Sequence, residues 1–85
     1  MREFTYVIKD EIGIHGRPAG KLVEQAAAFS CSCTIFKGDS SADMKRLFKL
    51  MKLSVRTGDE VRVVCEGEDE AEAAAVLEQY LQENL

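Results

Sequence analysis

This sequence is short of the residues from which many small sites are built. It has a single histidine, His15, so the multi-histidine metal sites lack ligands. Its cysteines are Cys31, Cys33 and Cys65, an odd number that argues against a disulfide framework and for reduced, core-type thiols. No apolar run is long enough to cross a bilayer, and the basic-then-apolar opening of a signal peptide is missing. A cytoplasmic protein without direct membrane binding is therefore expected. The 85 residues allow one domain, 1–85, with one core. A chain of this size buries only about 60 to 65% of its unfolded surface, which argues against a deep active-site cleft. There is no Walker loop and no carboxylate pair beside the histidine.

What charge there is lies unevenly. The net charge is −4, yet Lys45, Arg46, Lys49, Lys52 and Arg56 form a basic stretch free of acids. From Gly58 onward, Arg62 stands against nine acids. The acidic total speaks against a nucleic-acid partner. The basic patch fits docking to an acidic protein surface or an anion, and equally a solvated helix face.

The apolar pattern gives the order of elements. Phe4, Tyr6 and Ile8 alternate with Thr5, Val7 and Lys9, the period of a half-buried strand. Gly13 marks a turn, and Pro18 suits the first turn of a helix, where its missing N–H has no partner in any case. Ala19, Leu22, Val23, Ala26 and Ala27 then form one helical stripe, predicting a helix from about Gly16 to Phe29.

Cys31, Cys33 and Ile35 share one face of a second strand, Gly38 and Asp39 turn the chain, and Ser40 to Ala42 return as a hairpin partner. Asp43 is the predicted N-cap of a second helix with Met44, Leu47, Phe48 and Met51 on its apolar face. Val61, Val63 and Cys65 make the last strand. Asp69 with Glu72 resembles a capping box for a final helix burying Ala73, Val76, Leu77, Tyr80 and Leu81. The order β-α-β-β-α-β-α predicts an α+β fold, a four-stranded, mostly antiparallel sheet covered on one face by three helices.

This order places His15 at or just before a helix N-cap, where backbone N–H groups lack intrahelical partners and anions are welcome. Arg17 adds a forked, permanently charged donor suited to phosphate oxygens. An imidazole there could act as nucleophile and take up a phosphoryl group, its added charge met by N–H dipoles and guanidinium. A lone histidine near a helix start also serves as an ordinary capping or surface residue. With no hydrolytic machinery nearby, the physics favours a carrier over a catalyst.

The stretch GIHGRPAGKLV, with ADMKRLFKLMKL from Ala42 and GDEVRVVCEG from Gly58, resembles the HPr family of phosphocarriers of the bacterial phosphoenolpyruvate:sugar phosphotransferase system. The resemblance runs over nearly the whole chain and implies the family's open-faced β-sandwich. It implies that His15 accepts a phosphoryl group on Nδ1 from enzyme I and hands it to EIIA domains of sugar permeases. Arg17 then assists transfer, while Gly16 and Pro18 open the helix that meets the phosphate. Leu47, Phe48 and Met51 would form the apolar docking surface, with Lys45, Arg46, Lys49 and Lys52 as its charged rim. A monomer without cofactor or resident metal is expected.

Two positions depart from the family pattern. Gly16 stands where most members have alanine, a poorer helix former by up to about 1 kcal/mol, which predicts a looser backbone at the histidine. Arg46 stands where many Gram-positive members carry a regulatory serine, so the serine-linked arm of catabolite repression is expected to be absent. The C-x-C pair reads as slow-reacting core, and Met44 and Met51 likewise, with Phe48 and Leu50 partly exposed for docking. Two alternatives stay open at this point. One is a regulatory or nitrogen-branch carrier acting on a regulator; the other is a small metal-binding module using Cys31 and Cys33.

Overall fold

Alternation and helical periodicity set most of the architecture. The protein is described by a computed structural model covering all 85 residues. The elements are β1 (Arg2–Val7), α1 (Gly16–Ala27), β2 (Ser32–Lys37), β3 (Ser40–Asp43), α2 (Leu47–Lys52), β4 (Glu60–Glu66) and α3 (Glu70–Asn84). The strands lie in the order β1-β4-β2-β3, and every neighbouring pair is antiparallel. β1 and β2 therefore run parallel with β4 between them, a split β-α-β unit. The three helices cover one face of the sheet, as the order of elements predicts.

Ile8, Cys33, Ile35, Ala42, Val61, Val63 and Cys65 fill the covered face of the sheet. They meet Ala19, Leu22 and Ala26 of α1, Leu50 of α2, and Ala73, Leu77 and Leu81 of α3 in one cluster. The other face is open and polar. There Arg62 lies 4.4 Å over the Phe36 ring and pairs with Glu3 at 3.0 Å. Ala27, placed on the buried stripe by periodicity, is exposed at the last turn of α1.

The second helix differs from its expected form. It starts at Leu47 with Arg46 as N-cap, and Asp43 ends β3 instead of capping it. The Asp43 carboxylate accepts the Lys45 N–H at 2.9 Å, a local turn that competes with the helix for these residues. Met44 stays bonded to the sheet through its N–H to Cys33, at 2.9 Å, and is fully buried there. On α2 itself Leu50 is the buried anchor, whereas Met51 is 40% exposed and Phe48 84% exposed. The expected roles of Leu50 and Met51 are thus exchanged.

The capping box is also absent. Asp69 is the N-cap of α3, but its backbone is not extended and its carboxylate turns to another segment. It accepts the N–H groups of Ser30 at 2.8 Å and Cys31 at 2.9 Å, tying the start of β2 to the start of α3. The Ser30 N–H, with help from Cys31, holds the Asp69 carboxyl below its usual range. Glu70, not Glu72, reaches back, accepting the Gly67 N–H at 3.1 Å. Gly67 has a φ of +149°, and a Cβ there would lie 2.7 Å from that of Cys31, so only glycine fits.

The split roles on α2 can be read from stability. Leu50→Ala should lower unfolding free energy by about 2–5 kcal/mol in urea denaturation. Phe48→Ala should change it by no more than about 0.5 kcal/mol.

Candidate functional site

His15 is the N-cap of α1, with extended backbone angles and no cap bond from its side chain. No cap bond ties the imidazole to the helix, and its side chain is half-buried at 35% exposure. Two first-turn donors, the N–H groups of Gly16 and Arg17, precede the first intrahelical bond, which runs from Ala19 N to the His15 carbonyl at 2.7 Å. No acid occupies this turn. Pro18 has no N–H and contributes fixed geometry, while its carbonyl accepts the Tyr80 hydroxyl at 3.2 Å, fastening the turn to α3. Arg17 is exposed and forms no ion pair.

Asp10 completes the site, and the sequence reading did not single it out. Its Oδ1 lies 3.6 Å from His15 Nε2 and accepts the Ile12 N–H at 2.9 Å. The carboxylate is thus fixed against one ring nitrogen, while Nδ1 has no protein partner. The only signal available was a carboxylate five residues before the histidine with a turn glycine between them.

The loop carrying Asp10 and His15 is clamped by backbone bonds. Ile14 donates to the Val55 carbonyl at 3.1 Å, Gly58 donates to Ile8 at 2.8 Å, and the Thr57 hydroxyl donates to the Asp10 carbonyl. Lys9 and Asp10 both donate their N–H groups to the main-chain oxygen of Leu85, at 2.6 and 2.8 Å. The facing turn is itself braced. Asp59 accepts the Arg56 N–H at 2.8 Å and pairs with Lys37 at 3.3 Å, and these hold its carboxyl below the usual range. Gly13, at a φ of +86°, presses so closely that a Cβ would sit 2.3 Å from the Val55 carbonyl oxygen. Gly16 is different: a Cβ there meets nothing within 4 Å, so packing does not demand glycine at that position.

The expected docking residues divide into three kinds. Phe48 and Met51 are exposed, and Leu47 is half-buried beneath them. Arg46, Lys49 and Lys52 are exposed cations without acidic partners. Lys45 is turned away, half-buried, with its Nζ donating to the Phe29 carbonyl at 2.7 Å just past the end of α1. Ile12, 67% exposed on the histidine loop, was not expected among the apolar surface residues.

Known proteins share this fold and are similar in sequence over nearly the whole chain. The family model described as "PTS HPr component phosphorylation site" matches residues 2–83. Phosphocarrier protein HPr of Mycoplasma capricolum is 30% identical over 81 residues, covering 95% of this chain and 91% of its own. HPr-like protein Crh of Bacillus subtilis is 35% identical over 78 residues and 92% of each chain. A crystal structure of HPr from Thermoanaerobacter tengcongensis superposes with a TM-score of 0.92 at 34% identity, covering 96% of this chain and 92% of that one. Fold and matches together define the class of small phosphocarriers. The chain belongs to the HPr family of the phosphotransferase system.

The clamp around Gly13 can be tested directly. Gly13→Ala should destabilise the protein by about 2 kcal/mol or more, read from the shift of its denaturation midpoint.

Proposed function

We propose that this chain is a cytoplasmic phosphocarrier that takes a phosphoryl group from enzyme I onto His15 and passes it to EIIA domains of sugar permeases. The observation that carries this reading is the fixed Asp10 carboxylate beside Nε2. It favours the tautomer with its proton on Nε2, so the lone pair of Nδ1 is free to attack phosphorus. As the P–N bond forms, the bond from phosphorus to the donor breaks and its electron pair returns to enzyme I. The Nε2 proton stays in place, facing Asp10.

The charge added to the ring meets the free N–H groups of Gly16 and Arg17 and the Arg17 guanidinium, which has no competing carboxylate. Transfer to EIIA reverses the step, with the acceptor's nucleophile displacing Nδ1. Docking falls to Phe48 and Met51, with Leu47 below and Arg46, Lys49 and Lys52 at the rim. Rim charge sets on-rate and orientation more than affinity, as a shuttle requires. One exposed docking face suits a monomer.

A second reading has the chain act on a regulator, and the 35% identity with Crh favours it. Arg46 bears on both readings, because arginine cannot accept phosphate from a serine kinase.

Intact-mass analysis after incubation with phosphoenolpyruvate and enzyme I should find one phosphate, lost in acid and kept in base, and none in His15→Ala. Asp10→Asn should slow phosphorylation roughly three- to ten-fold, in keeping with a solvated charge at this distance, and Arg17→Ala by about 10²-fold. Phosphate that survives in His15→Ala would overturn the reading. Phosphorylation without onward transfer to any EIIA domain would favour the regulatory alternative.

Arg46→Ser should lower partner on-rate and flatten its salt dependence while leaving the denaturation midpoint nearly unchanged. Kinase-dependent phosphate on Ser40, Ser41 or Ser54 of the native chain, with an effect on partner binding, would contradict the absence of a serine-linked arm.

A further inference from the structure

The three cysteines converge from separate segments of the chain. Cys33 of β2 lies directly opposite Cys65 of β4 in the ladder. Cys31, just before β2, is brought in by the close approach of Gly67 and held by the Asp69 carboxylate on its N–H. The three Sγ atoms all lie within 4.8 Å of one another, and those of Cys31 and Cys33 are 3.9 Å apart. Three thiolates around one ion at about 2.3 Å place their sulfurs about 4 Å apart. The backbone therefore already holds one sulfur pair at a coordinating separation and the third sulfur close to it.

The charge of the surroundings also fits. An open cleft of about 660 Å³ is lined by Cys31 and Cys33 together with Lys45, Arg46 and Lys49. It brings these two buried cysteines, 2% and 1% exposed, beside cations that offset surplus negative charge. From this geometry we infer that Cys31, Cys33 and Cys65 form a three-coordinate site for a soft, thiophilic cation of the Cu(I) class.

The donor set selects the ion. A donor set of three buried sulfurs disfavours magnesium, calcium and manganese. Zinc prefers four ligands, and the nearby Asp69 has both oxygens engaged by the N–H groups of Ser30 and Cys31. Cu(I) is suited to soft thiolates alone. Binding exchanges each ligating S–H proton for a metal–sulfur bond, with the protons released to solvent and no change of oxidation state. The site lies apart from His15 and does not depend on the phosphocarrier reading.

The test is an anaerobic titration of the full chain with Cu(I) against a chromogenic Cu(I) chelator, combined with X-ray absorption and thermal melts. One Cu(I) per chain, three sulfur neighbours and a raised melting temperature are expected. Cys33→Ala and Cys65→Ala, apolar replacements that keep the core dry, should each weaken retention at least ten-fold and abolish the thermal shift. Failure of the native chain to compete with the chelator would overturn the site. So would equal retention by Cys65→Ala, or a lowered melting temperature, the sign of capture by unfolded thiols. Zinc held more tightly than Cu(I) would overturn the choice of metal.

Discussion

The close approach of Gly13 to the Val55 carbonyl is the constraint on which the site depends. It brings two irregular segments together at backbone distance, and the Ile14 N–H closes the contact. With the loop fixed there, Asp10 and His15 face each other, and the chain enters α1 with the imidazole at its mouth. Directional backbone bonds suit this task better than apolar packing, because they fix position without covering the ring. The histidine is held by its main chain, while its side chain is half-buried with Nδ1 unpartnered.

Most of the fold was legible in the sequence because its signals were redundant. β1, β4, α1 and α3 each carry an unbroken apolar period, and their order leaves one economical closure. The segment from Asp43 to Met51 was harder. Met44, Leu47 and Met51 fit a helical stripe, yet Met44 remains bonded to β2 and the Asp43 side chain makes a turn at the intended helix start. Two local rules competed, and the sheet edge with the Asp43 turn prevailed.

The placement of His15 and Arg17 at the start of α1, with a glycine turn before them, was readable from residue type and spacing. Asp10 and the Val55–Asp59 brace were not, since their contacts run largely through carbonyls and N–H groups that every residue carries. The same holds for Asp69. Its position suggested a local cap, but its carboxylate serves N–H groups 38 and 39 residues away. A side chain with two acceptor oxygens can satisfy either demand, and only tertiary structure decides which.

The split β-α-β unit has a consequence for how the molecule is made. β4, which pairs with both β1 and β2, is the last strand to be synthesised, and without it β1 has no neighbour in the sheet. Of the pairings in the sheet, only the β2–β3 hairpin can form before β4 exists. The completed sheet requires residues 60–66 to insert between two segments made much earlier, pairings of long sequence separation that carry a loop-closure cost. Until β4 is in place, the apolar residues of β1 and α1 have no completed sheet to pack into.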